Sequence, residues 1–212
     1  MHYYIESDGR LFLVLRDGKL DLPVPDEVPF AVDPVAPLAG ADDAWFCVPA
    51  LDRHPREWPS KDAVPRGLEA TDRVREAVHA SMPRVVVEGI CRRGDRVLLV
   101  KGNRGLTDGL WTLPGGFLRF GETPEQGVLR ELREEAGLEG AVEALHAVRS
   151  RLGRRSRLHW VILFYAIAAD GPVVPNPDEI AEARYVDPGT AAAMIGDEMM
   201  AAIVRDLRPT GG

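Results

Sequence analysis

The stretch GGFLRFGETPEQGVLRELREEAGL, Gly115 to Leu138, decides how the chain is read. Glycine is a poor helix-interior residue, so Gly115, Gly116 and Gly121 are assigned to a loop. Pro124 suits a first helical turn, with Thr123 before it as cap. The helix then runs to Ala136, and Gly137 stops it. On a 3.6-residue wheel Val128, Leu129, Leu132 and Ala136 share one side and face the core. Glu131, Glu134 and Glu135 stand at i, i+3 and i+4, so their side chains are neighbours, and Arg130 can pair with Glu134.

Neighbouring like charges on a helix cost a few tenths of a kcal/mol per exposed pair. A hard divalent cation reverses that sign. Magnesium takes oxygen ligands and often binds through one or two carboxylates plus substrate phosphates. The stripe therefore reads as a metal platform beside a phosphate-bearing ligand, against the plainer reading of a solvated acidic face.

The surroundings bound what such a platform can serve. The chain has 212 residues, with 45% hydrophobic and 28% charged, ordinary for a globular protein of one large domain or one domain plus a small one. A net charge of -7 argues against broad binding to nucleic acid or an anionic membrane. Cys47 and Cys91 offer no CxxC spacing, so neither a structural zinc nor a disulfide framework is indicated. The apolar run VILFYAIAA, 161–169, is too short to span a bilayer. The opening MHYYIESDGRLFLVL has no basic leader or cleavage site, and a soluble cytoplasmic protein is expected.

Two Asp-Gly turns, SDGR (7–10) and RDGK (16–19), predict a three-stranded meander over 2–22. Residues 23–65 hold nine of the seventeen prolines and predict an irregular connection with one strand near Ala44–Val48. Residues 60–82 carry a helix pattern, with Leu68, Val74 and Val78 on one face and Thr71 or Asp72 as cap. Pro83 ends it. From Arg84 the texture changes to β-branched runs: RVVVEGICR and RVLLVKG as a hairpin, LWTLPGG as a short strand, VEALHAVRSR and LHWVILFYAIAA as two strands, EARYVD as another, then two helices. The expected organisation is a β-rich N-terminal subdomain over 1–82 and an α/β domain over 83–212. Exposed hairpin edges in the first part invite pairing with a second copy, so a homodimer is expected.

Gly116, five residues, Glu122, seven residues, and then Arg130-Glu131-Leu132-Arg133-Glu134-Glu135-Ala136-Gly137-Leu138 resembles the Nudix box, with no departure at a fixed position. The strand order after residue 84 is similar to the Nudix α/β/α sandwich with a mixed sheet; residues 1–82 fall outside the resemblance. It implies metal-dependent hydrolysis of a diphosphate linkage in a nucleoside diphosphate derivative, such as an ADP-sugar. It further implies that Glu131, Glu134 and Glu135 ligate Mg2+ or Mn2+, assisted by Glu122, with the Gly116 backbone close by. Arg130 would orient a glutamate. Glu134 is the first choice for the general base, and Glu179, in PNPDEIAEARYV, is a further catalytic carboxylate with Glu182 in reserve. Two other functions stay open: cleansing of modified nucleoside triphosphates, and a non-catalytic ligand sensor of the same fold.

Substrate cues are sparser. Arg149, Arg151, Arg154, Arg155 and Arg157 crowd RSRLGRRSR, and guanidinium suits phosphate, so Arg154 and Arg155 are candidates for a polyphosphate grip. Arg104 in KGNRGLTDG is another phosphate candidate. Trp111 and Trp160 could stack on a base or pack in the core. Members of the family selective for ADP-ribose often carry a proline downstream of the box; here that region reads Gly153-Arg154-Arg155, so the marker is missing.

Overall fold

The computed structural model describes residues 1–41, 43–153 and 156–207. The chain divides into two compact units, one of Met1–Arg84 with Arg151–Trp160 and one of Val85–Ser150 with Val161–Gly212.

The first unit starts with β1 (His2–Ser7), β2 (Arg10–Phe12), β3 (Val14–Arg16) and β4 (Lys19–Asp21). Both Asp-Gly pairs turn with positive φ at both residues: 49° and 71° at Asp8 and Gly9, 51° and 78° at Asp17 and Gly18. Such turns match the twist of the strands they join. The result is two separate hairpins, β1–β2 and β3–β4, rather than the expected three-stranded meander. The middle run breaks at Leu13. Leu11 is buried and Phe12 and Leu13 are partly buried, and a continuous strand would turn alternate side chains to opposite faces. The break lets Phe12 pack against Phe30 and Trp58 while Leu13 joins the Tyr4–Leu11–Leu22 core.

The proline-rich connection holds two strands, not one. β5 (Val32–Pro37) and β6 (Ala44–Pro49) pair antiparallel, and β6 lies parallel to β1, giving the order β2-β1-β6-β5. β5 escapes a sequence reading because Pro34 and Pro37 mark it as a non-strand. At a sheet edge proline forfeits no ladder bond, and a register shift between Pro34 and Ala36 accommodates it. Helix α1 (Asp72–Ser81) is capped by the Thr71 hydroxyl, which accepts from the Val74 amide, and it buries Val74, Ala77, Val78 and Ala80.

The second unit is built on β7 (Arg84–Arg93), β8 (Arg96–Gly102), β9 (Trp111–Thr112), β10 (Gly115–Phe117), α2 (Pro124–Ala136), β11 (Gly140–Leu152), β12 (His159–Ala169), β13 (Ile180–Val186), α3 (Pro188–Met194) and α4 (Glu198–Arg205). Its sheet has the order β11-β12-β7-β8-β13, with β10 added to β7 and β9 to β8. Gly115 and Gly116, expected in a loop, belong to β10. They pair with Glu88 and Val87, and the strand is short because the chain must leave at once for the helix.

α2 forms where the stretch allows it. Thr123 and Gln126 make a reciprocal capping box: the threonine hydroxyl accepts from the Gln126 amide, and the glutamine carbonyl accepts from the Thr123 amide. Gly137 closes the helix in the left-handed region, φ 66°. Val128, Leu132 and Ala136 are buried against Val87, Cys91, Leu98, Tyr165 and Ile167, with Leu129 partly buried beside them. Burying a Val or Leu side chain stabilises by about 1.5–3 kcal/mol, so this apolar stripe fixes how α2 is turned, with Glu131 and Glu135 partly buried along its edge.

Candidate active site

The acidic stripe of α2 meets β10 through two glycines. The Gly115 amide donates to Oε2 of Glu135 at 2.9 Å. A Cβ on Gly116 would lie 2.5 Å from Oε1 of Glu131. Any side chain at 116 would therefore displace the Glu131 carboxylate from its place. On the other face of β10, Oε2 of Glu88 would lie 2.7 Å from a Cβ on Gly115. Glu88 is a buried carboxylate, 8% exposed, and its charge in the middle of the apolar run VVVEGIC is the signal in the sequence for it.

Arg130 stands at the centre of the glutamates. Its Nε and Nη2 donate to the two oxygens of Glu122 at 2.8 and 3.0 Å. Nη1 donates to Glu131 at 2.5 Å and to Glu134 at 3.1 Å, and Nη2 also reaches the Phe117 carbonyl at 3.0 Å. The arginine orients three carboxylates rather than one. A second cation, Arg119, meets Glu134: its Nη2 lies 3.1 Å from both carboxylate oxygens. Arg119 lies in the loop between Gly116 and Glu122, where no spacing in the sequence marks it. Its own amide donates to Glu122 at 3.1 Å, which ties the loop to Arg130.

These contacts set the protonation of the cluster. The hydrogen bonds from Arg130 pull Glu122 down to about 2. The same bonds, accepted by Glu122, above all push Arg130 further up, so it stays charged. Burial raises Glu131 in spite of Arg130. Burial raises Glu135 most, to about 8, against the Gly115 amide and with added repulsion from Glu131, Glu179 and Glu134. Two largely buried carboxylates, Glu131 and Glu135, thus resist ionisation beside Glu122, which Arg130 holds charged.

The downstream loop reaches the same place. The amides of Val174 and Asn176 donate to the carbonyls of Ala136 and Glu135, two of the groups that a helix C-terminus leaves without intrahelical partners. The loop then carries Glu179 near enough to Glu135 for its charge to count. Glu179 is ion-paired with Arg104, and the Glu179 carbonyl accepts from the Asn103 amide at 3.0 Å. Glu182 lies on β13 opposite Lys101 and pairs with Arg184 instead.

The remaining candidates are less central. Trp111 is half-buried, with the Arg184 guanidinium 4.7 Å from its ring centroid, so that cation already occupies one face of the indole. The Trp160 Nε1 donates to Ser156 at 3.3 Å. Arg154 and Arg155 lie outside the described residues.

Among the described residues no three acidic or imidazole groups stand together as a ready-made metal cluster, because guanidinium groups sit between the carboxylates. The donor set nonetheless fits Mg2+ or Mn2+. It consists of hard carboxylate oxygens, and two of them are raised by burial and mutual repulsion, a penalty that a divalent cation relieves.

The NUDIX domain family model matches residues 81–207, more than half of the chain. The chain is 35% identical over 105 residues to an ADP-ribose pyrophosphatase of Methanocaldococcus jannaschii, covering 50% of this chain and 62% of the relative. It is 38% identical over 94 residues to an NAD-capped RNA hydrolase NudC of Pseudomonas aeruginosa, covering 44% of this chain and 32% of the relative. The match therefore spans about three fifths of one relative and one third of the other. Among solved structures, a NUDIX hydrolase from Nitrosomonas europaea superposes with a TM-score of 0.51 at 28% identity, covering 58% of this chain and 68% of its own. A MutT NUDIX hydrolase from Burkholderia pseudomallei gives 0.50 at 26% identity, covering 60% of this chain and 100% of its own. With the family model matching more than half of the chain and the complete box lying within the match, the chain belongs to the Nudix family.

Proposed function

We propose that this chain is a divalent-cation-dependent hydrolase of the diphosphate linkage in nucleoside diphosphate derivatives. The observation that carries the reading is the gathering of Glu122, Glu131 and Glu134 on the one guanidinium of Arg130, with Glu135 partly buried beside them. Glu131, Glu134, Glu135 and Glu122 would hold Mg2+ or Mn2+ near the Gly116 backbone. Bound there, the cation supplies charge neutralisation on phosphate oxygens and a more acidic water. Arg130 keeps the carboxylates aligned without moving, since three of them share it. Glu134, the most exposed of the three, is the first choice to accept the proton of the attacking water, and Glu179 is the second. Arg104, released from Glu179, can turn its guanidinium to a phosphate oxygen.

The names of the two relatives point to substrates that share an adenosine diphosphate joined to a second ribose, and this chemistry is the substrate class we favour. Residues 1–82 serve as a β-rich subdomain that pairs with a second copy. Sedimentation that yields only monomer would remove that assignment.

The test is a panel: ADP-ribose, NAD, UDP-glucose and an oxidised deoxynucleoside triphosphate, each with Mg2+ or Mn2+ or with chelator, followed by release of nucleoside monophosphate and pyrophosphate. Cation-dependent cleavage of the first two supports the reading. Preference for the oxidised triphosphate transfers the chain to nucleotide-pool cleansing. Full activity of a Glu134→Gln, Glu135→Gln double variant removes the carboxylate mechanism.

A further inference from the structure

Two arginines touch the glutamates of α2, and they are held in opposite ways. Arg130 is 11% exposed and engages Glu122, Glu131 and Glu134 through all three of its nitrogens. Arg119 is 61% exposed and meets Glu134 through Nη2 alone, one nitrogen straddling two oxygens at 3.1 Å. That is not the two-pronged fork in which guanidinium and carboxylate bind most strongly. Glu134 is also the most accessible of the three carboxylates on Arg130, 36% exposed against 14% for Glu122 and 12% for Glu131.

The backbone under Arg119 is fixed, while its side chain is largely exposed. Its amide donates to Glu122, its carbonyl accepts from the Glu122 amide at 3.2 Å, and Gly121 turns the chain between them at φ 78°. The side chain therefore extends from an anchored Cα to the rim of the carboxylate cluster. A divalent cation at Glu134 repels both guanidinium groups, and the one that yields is Arg119, held there by a single exposed nitrogen, whereas Arg130 stays anchored on Glu122 and the Phe117 carbonyl. The displaced guanidinium then lies beside the position a substrate phosphate must take, and its planar donors match phosphate oxygens.

We propose that Arg119 is a substrate-positioning residue that leaves Glu134 for a phosphate oxygen of a nucleoside diphosphate when a divalent cation takes that carboxylate. The proposal rests on the function proposed above. In the cation-free chain Arg119 competes with the metal; in the loaded site it holds the substrate. A purely structural arginine, which kept Glu134 aimed at the metal, has the opposite signature, since its removal weakens metal binding.

The test is direct binding with full-length protein. Free Mn2+ is followed by its electron paramagnetic resonance signal, for the wild type, Arg119→Gln and Arg119→Lys. α,β-Methylene-ADP is then titrated at saturating Mn2+. The expected result for Arg119→Gln is Mn2+ binding about threefold tighter, the loss of one exposed pair. Its affinity for the methylene analogue falls about tenfold, the loss of a charged hydrogen bond, and Arg119→Lys recovers part of it. Weaker or unchanged Mn2+ binding in Arg119→Gln, or unchanged affinity for the analogue, overturns the proposal while leaving the hydrolase reading in place. Wild-type protein that binds no Mn2+ overturns both.

Discussion

Gly116 and Glu131 leave no room between them for a methyl group, since a Cβ on the glycine would fall 2.5 Å from the glutamate oxygen. Gly116→Ala must push Glu131 off its position while β10 and α2 keep their other contacts. A displacement near 1 Å in a reacting site costs on the order of 100-fold in rate. We expect kcat/KM on the best substrate to fall by about that factor, with the circular dichroism spectrum unchanged.

Arg130 neutralises three carboxylates at once, two of them poorly exposed. Arg130→Ala leaves them to repel one another. Breaking a buried pair by removing one partner destabilises by about 3–5 kcal/mol. Urea denaturation with chelator should show a loss in this range, and a saturating divalent cation should recover part of it. A midpoint equal to wild type in both buffers would show that the arginine carries no structural charge balance.

Glu135 gives the cation-free protein a pH dependence of known sign. Its folded value of about 8 lies above the ordinary 4.5, so folding favours its protonated form. The stability this confers is complete below 4.5 and is lost as pH rises through 8. Glu122, held down at about 2, contributes stability that is already complete above 4.5 and does not vary in the upper window. Urea midpoints in chelator should fall between pH 6 and 8.5, and Glu135→Gln should flatten that fall.

Cys47 and Cys91 are buried, one in each compact unit, and burial pushes the Cys47 thiol up to about 11 and the Cys91 thiol upward as well. Only thiolate reacts with disulfide reagents. At pH 7.5 both should label at the rate of unfolding, and single Cys→Ala variants then give a separate opening rate for each unit. Labelling of either cysteine within the mixing time would contradict its burial.

The carboxylate helix was legible because three independent signals fell on one stretch: a cap at Thr123, a 3.6-residue apolar stripe and a stop at Gly137. β5 was not, because proline is a strand-breaker everywhere except the edge that Pro34 and Pro37 occupy. Leu11, Phe12 and Leu13 read as one strand, yet bury their side chains in two places, which only the packing decides. The proximity of Glu179 to Glu135 is set by backbone bonds from Val174 and Asn176, to which any side chain at those positions is silent. Arg119 carries no signal in the sequence, because a lone exposed arginine in a loop has no spacing rule; its meaning comes from the glutamate opposite.

The splice of Val174 and Asn176 onto the end of α2 also works as a ruler. Only Pro177 and Asp178 separate that seam from Glu179. Added length upstream of the seam can bulge outward and leave Glu179 at its distance from the helix. Added length downstream of it shifts that glutamate by up to about 3.3 Å per residue. Variants that lengthen this connection should therefore divide by the side of the seam on which the insertion falls, not by its size.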